Sequence, residues 1–223
     1  MSPSRRDMIL ISAAAAALPA VALAADGKDP DPPVRKVFRF YDIYLGIPAA
    51  ERTRFAMNYY LQVNGKPASG QEVFIVMPGG ARVLLTQAAD GRLTRMPTLA
   101  EWKEGVLTAN KKSPSDRFQL SMELNPLVRL AETVAAADVQ AAIDQCNAAI
   151  KKRAGMIGFA VPRMEQVLFA GAGTGQAVAG GRATPLPVFK TFVAFKPADH
   201  AGAQSLRFGK PPARALLAGG KLK

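Results

Sequence analysis

Apolar and polar residues alternate most clearly over 117–124, where Phe118, Leu120, Met122 and Leu124 interleave with Arg117, Gln119, Ser121 and Glu123. A period of two predicts a strand with one buried and one wet face. Further on the period lengthens. Val139, Ile143, Cys146 and Ile150 recur at helical spacing, which predicts a helix from Asp138 as N-cap to about Arg153. Lys151, Lys152 and Arg153 suit the negative end of its dipole, and Gly155 suits its stop. Strands are also predicted over Phe55–Val63, Gln71–Met77, Ala81–Thr86, Met156–Val161, Met164–Ala170 and Val188–Phe195, with a short pair around Leu206 and Leu216. Val34–Leu45 reads as a strand too: Val37, Phe38, Phe40, Tyr41, Ile43 and Tyr44 crowd together on both parities, as in a strand buried on both faces.

Turn signals punctuate the first half at Asn64-Gly65-Lys66-Pro67, Pro78-Gly79-Gly80 and Asp90-Gly91, where glycine tolerates the positive φ of tight hairpin turns. Thr98 and Glu101 have capping-box spacing and predict a short helix that carries the single tryptophan, Trp102. Short strands between regular turns argue for a β-sandwich. The runs Val63-Asn-Gly-Lys-Pro-Ala-Ser-Gly-Gln-Glu-Val73 and Asp90-Gly-Arg-Leu-Thr-Arg-Met-Pro97 resemble carboxypeptidase-regulatory-like and related immunoglobulin-like sandwich modules. The chain departs from that pattern at Gln87-Ala88-Ala89, where a Thr-Asp pair is usual. The resemblance implies a spacer, binding or assembly module and carries no catalytic residues. The expected fold class is therefore β-rich: an Ig-like β-sandwich over 34–109, a linker over 110–116, and an α+β domain over 117–223 with one helix on an antiparallel sheet.

The N-terminus changes the picture of where the chain works. Arg5-Arg6, an alanine-rich apolar run and the small-x-small ending Ala22-Leu23-Ala24 predict an export signal over 1–24, cut between Ala24 and Ala25. Ser4-Arg5-Arg6 ahead of Met8-Ile9 resembles a twin-arginine signal, which implies periplasmic delivery of a chain folded before export. Residues 25–33 read as a polar, proline-rich, disordered leader. No later stretch reaches the roughly 18 uninterrupted apolar residues of a membrane span.

Composition narrows the chemistry. The 223 residues carry 29 Lys plus Arg against 17 Asp plus Glu, a net charge of +12. Loss of residues 1–24 removes Arg5, Arg6 and Asp7, leaving +11. In an exported protein such a charge points to anionic envelope components and the membrane surface rather than nucleic acid, and no basic-aromatic interleaving argues otherwise. Cysteine and histidine occur once each, as Cys146 and His200, so an intramolecular disulfide and a Cys/His zinc cluster are excluded. Cys146 falls on the apolar helix face as a buried thiol, and His200 falls in a turn. Gly171–Gly181 lacks the spacing and following helix of a phosphate-cradling loop and reads as a mobile hairpin loop. No catalytic residue, metal ligand or cofactor is implied. Phe38, Phe40, Tyr41, Tyr44, Tyr59 and Tyr60 are the candidate contacts for a ligand or partner, with core packing as their other reading. The expected function is a non-enzymatic periplasmic binding or assembly protein that engages a protein partner or an anionic envelope polymer. The alternatives are a carrier of an apolar ligand and a hydrolase using carboxylates or a serine.

Overall fold

The structure is a computed structural model, and it describes residues 21–23, 31–68, 70–110, 113, 115–154 and 162–220, with 21–23 and 154 as backbone alone. The chain is β-rich, with four antiparallel sheets and one long helix among the described residues. The longest pairing joins β2 (Phe55–Val63) to β7 (Phe118–Pro126) in register over nine residues, from Phe55 opposite Pro126 to Val63 opposite Phe118. β1 (Val21–Leu23) lies on the outer edge of β7, and β3 (Lys66–Pro67) on the outer edge of β2. A second sheet has β4 (Glu72–Val76) between β5 (Arg82–Leu84) and β6 (Val106–Asn110). These two sheets meet across one core, in which Tyr59, Leu61, Val63, Phe118 and Leu120 face Val73, Ile75 and Leu107.

The remaining strands build a second core. One sheet runs β11 (Arg182–Pro185), β10 (Gly175–Ala179), β14 (Ser205–Phe208), β8 (Thr133–Ala135); the other runs β12 (Val188–Phe189), β13 (Phe192–Phe195), β9 (Met164–Ala170), β15 (Arg214–Gly219). The long helix spans Ala136–Ala154 and packs Val139, Ile143, Cys146 and Ala149 onto this core. The predicted face is thus the buried one. Asn147 fixes the helix to β9 with both halves of its amide, accepting from Met164 N and donating to Met164 O at 2.8 Å each.

Several expectations are corrected. Val34–Leu45 is helical, not extended: α1 covers Val34–Val37, α2 covers Tyr41–Gly46, and Phe40 between them adopts φ 62. The reason lies in a spacing that β-propensity hides. Val34, Val37, Phe38 and Tyr41 recur at helical intervals and all four are buried, while Arg35, Lys36 and Arg39 between them are exposed. The turn is anchored by Val34 N donating to Gly105 O and by Trp102 Nε1 donating to Phe38 O at 3.0 Å. A third helix, α3 (Leu99–Glu104), carries that tryptophan behind the expected capping box, and Ala136–Ala154 is α4.

The chain also does not divide at 110–116. β7 belongs to the first sheet, and Asp116 is buried in the turn that precedes it, accepting from Asn64 Nδ2 and Ser113 N. The two cores instead share β2 and β7, since Phe55 and Leu124 pack into the second core while Tyr59 and Phe118 pack into the first. The end of the expected disordered leader is ordered, with Pro33 bridging Val106 and Pro32 O accepting from Leu107 N. Gly171–Gly181 forms part of a hairpin but is not loop throughout. It holds β10, and Gly180-Gly181 is the tight turn of the β10–β11 hairpin. The expected strand Met156–Val161 lies outside the described residues, as do residues 1–20 and 24–30.

Candidate functional site

The six aromatic candidates do not line a groove. Phe38, Tyr41, Tyr59 and Tyr60 are buried, and Phe40 and Tyr44 are half-buried. Phe38, Tyr41 and Tyr59 pack together, with Tyr59 meeting Phe38 at 4.8 Å and Tyr41 edge-on at 6.2 Å between ring centroids. Tyr59 Oη donates to the Arg39 carbonyl at 2.6 Å, and burial pushes its hydroxyl pKa well up. Tyr60 points to the opposite face of the β2–β7 sheet.

The side of α2 away from that core collects cations. The Arg52 guanidinium lies over the Tyr44 ring, 4.7 Å from its centroid. Arg153, at the end of α4, brings its Nη1 to 3.6 Å from where a side chain on Gly46 would begin. Lys152 is paired with Glu51 in the 3₁₀ turn Ala49–Glu51. Arg95 donates from Nη2 to Glu101 Oε1 at 2.6 Å. Burial raises the Tyr41 hydroxyl pKa, reinforced by Tyr44, while Arg52 and Arg95 act to lower it. Two donors here are buried without a hydrogen-bond partner, Arg52 Nε and Arg95 Nη1. A buried N–H that bonds to nothing is costly unless a ligand supplies the acceptor.

Glu101 is held in the opposite sense. Burial alone would raise its carboxyl, but hydrogen bonds from Arg95 and Thr98 outweigh that and leave its pKa lowered. It stays ionised and takes up one donor of Arg95, while Arg52 and Arg153 keep part of their side chains open to solvent. The arrangement is chemically suited to holding phosphate, sulfate or carboxylate groups by planar charge-assisted hydrogen bonds.

A second polar cluster sits where β15 crosses β7. Arg214 Nη1 lies 3.4 Å from Glu123 Oε1 and its guanidinium stacks 4.8 Å over Tyr60. Asn125 Nδ2 donates to Ala215 O at 2.7 Å and reaches Glu123 Oε2 at 3.4 Å, and Asn58 Nδ2 donates to Asn125 Oδ1 at 2.7 Å. Burial raises the Glu123 carboxyl despite Arg214. The alternation that forecast a wet face here is correct in polarity, but β15 covers part of it. A cleft of about 340 Å³ opens between α4 and the ends of β9 and β13, lined by Gln140, Asp144, Asn147, Arg163, Glu165 and Lys196 among others. Its walls are largely polar, which offers little to an apolar ligand. Burial pushes the Cys146 thiol up to about 12. The His200 ring stacks on Phe195 at 5.8 Å, so it has a packing neighbour within its turn. Among the described residues, no group of three or more His, Cys, Asp or Glu is placed to hold a metal ion, and no helix is long and apolar enough to cross a membrane.

Of the predicted contacts, the structure brings Tyr44 to the cationic surface and leaves Phe38, Tyr41 and Tyr59 in the core. Arg52, Arg95 and Arg153 were missed. Lys151–Arg153 is legible as a basic helix end, but Arg52 and Arg95 carry no local signal, because folding alone sets Arg52 over Tyr44 and Arg95 against Glu101. No family model, curated protein or solved structure matches the chain.

Proposed function

We propose that this is an exported, non-enzymatic envelope protein that binds an anionic polymer through the cationic surface around α2. The observation that carries the reading is the placement of Arg52 over Tyr44 and of Arg153 beside Gly46, which sets two guanidinium groups against α2. Lys152 adds a further cation at the end of α4, and the net charge of +11 left after loss of residues 1–24 adds long-range attraction. A polyanion of repeating phosphate or carboxylate groups matches several separated cations better than one small anion does. The export signal read over 1–24 supports an envelope setting for that polymer.

Co-sedimentation of the chain lacking residues 1–24 with isolated envelope tests this. Binding should fall as salt shortens the Debye length from about 10 Å to about 3 Å. Arg52→Gln with Arg153→Gln should weaken it, while Arg182→Gln on the exposed strand β11 should not. Salt-independent association, or equal loss in the β11 variant, rejects the assignment to this surface.

A further inference from the structure

The β7 strand has two edges, and their backbone groups can be assigned. Arg117 O accepts from Asn64 N, and Leu127 N donates to Arg54 O, so the odd-numbered residues of β7 turn their backbone groups toward β2. Phe118 and Leu120 therefore turn theirs the other way. That outer edge is occupied by β1, with Val21 opposite Leu120 and Leu23 opposite Phe118. The occupant β1 lies before the predicted cut at Ala24-Ala25.

We propose that Val21–Leu23 caps the β7 edge in the precursor, and that removal of the leader opens it to strand addition by an extended apolar segment of a protein partner. This rests on reading residues 1–24 as a cleaved export signal. In the uncut chain the backbone groups of Phe118 and Leu120 are satisfied from within. In the cut chain they face outward at the rim of a sheet, an arrangement that templates pairing with another chain. Main-chain hydrogen bonds to such an edge supply affinity, and alternate side chains supply selectivity. The sequence Val-Ala-Leu indicates the kind of segment the edge accepts: short, extended, antiparallel to β7 and free of charge. The cap also keeps the edge from pairing with other copies while the chain awaits export.

Amide hydrogen exchange on the full chain, purified unprocessed from the cytosol, and on residues 25–223 reads the edge directly. Phe118 and Leu120 should exchange at least about tenfold faster in the shorter chain, as amides released from a sheet edge do. Val21→Pro in the full chain, which deletes the N–H facing Leu120, should reproduce part of that change. A synthetic peptide of residues 20–26 added to the 25–223 chain should slow the same two amides again. Equal exchange in both chains overturns the cap, and failure of the peptide to protect overturns strand acceptance. The N-terminal mass of the exported protein is measured separately. An intact N-terminus overturns cleavage and with it the opening step, while the exchange comparison still reports whether β1 caps the edge.

Discussion

Replacing Arg214 with methionine should destabilise the protein in a strongly pH-dependent way. Glu123 is only 17% exposed at its side chain and Arg214 32%, with 3.4 Å between the charged atoms. The gross attraction at that distance is roughly 5 kcal/mol at an effective dielectric of 20, most of it offset by desolvation. Removing one partner leaves the other charge buried and unpaired, which costs about 3–5 kcal/mol in a dry interior. Partial exposure lowers the expected loss to about 2–3 kcal/mol near pH 7.5. Burial already raises the Glu123 pKa, with Arg214 opposing it, so the variant should raise it further. A carboxyl whose pKa is raised on folding contributes stability that is present below its ordinary value of about 4.3 and is lost as pH rises through the folded value. Near pH 3 the carboxyl is protonated in both states, and only the Arg214–Tyr60 stacking is lost, about 1 kcal/mol. Urea unfolding midpoints at the two pH values measure the difference, and adding Glu123→Gln to the variant should recover most of the neutral-pH loss. A loss of equal size at both pH values, or one that Glu123→Gln does not repair, would refute the assignment of an uncompensated buried carboxylate.

Three further outcomes follow from local packing. Cys146, buried with its thiol pushed up to about 12, should resist thiol reagents in the native protein and react on denaturation; rapid native labelling would contradict the helix face. A side chain on Gly175 would meet Val193 Cγ1 at 2.6 Å, with Leu186 and Phe208 at 3.1 Å. Gly175→Ala should therefore lower thermal stability by about 1–3 kcal/mol, and a neutral result would mean that the β10 sheet and the β9 sheet are less closely packed. Thr98→Ala removes the cap that accepts from Glu101 N at 3.2 Å and should cost about 1 kcal/mol by denaturant midpoint.

Much of the fold was legible where one local rule dominated. β2, β9 and the alternating strand β7 stand where apolar periodicity put them, and the Thr98–Glu101 capping box forms with both of its hydrogen bonds. β8, β6, β10 and β11 escaped because they are short, small-residue or exposed strands, and β8 and β6 pair with strands far off in sequence. Gly175 shows the difficulty well: its role is to leave room for Val193, which no local pattern reveals. The domain boundary failed for a related reason. Asn110–Ser115 has linker composition, yet the strand after it completes the sheet begun by β2. The candidate site was partly legible, since the aromatic crowding of 38–44 was visible but its conformation was not.

That conformation is what joins the two cores to the cationic surface. As a strand, Val34–Leu45 would have placed neighbouring aromatics on opposite faces, and Tyr41 and Tyr44 would not share a side. As two short helices broken at Phe40, it buries Phe38 and Tyr41 against Tyr59 while Tyr44 reaches the second core and meets Phe55 edge-on at 6.2 Å. The reversal depends on a left-handed residue that is not glycine, a conformation that costs about 1–3 kcal/mol where the surroundings enforce it. Tyr44 N bonds back to Phe40 O, and the Tyr59 hydroxyl holds the Arg39 carbonyl immediately before the break. These contacts set the direction of α2 and hence the positions of Arg52 over Tyr44 and of Arg153 beside Gly46. The cationic surface is thus a consequence of core packing in the first half meeting the C-terminal end of α4. Loosening the Phe40 reversal should therefore weaken anion binding without removing a single charge.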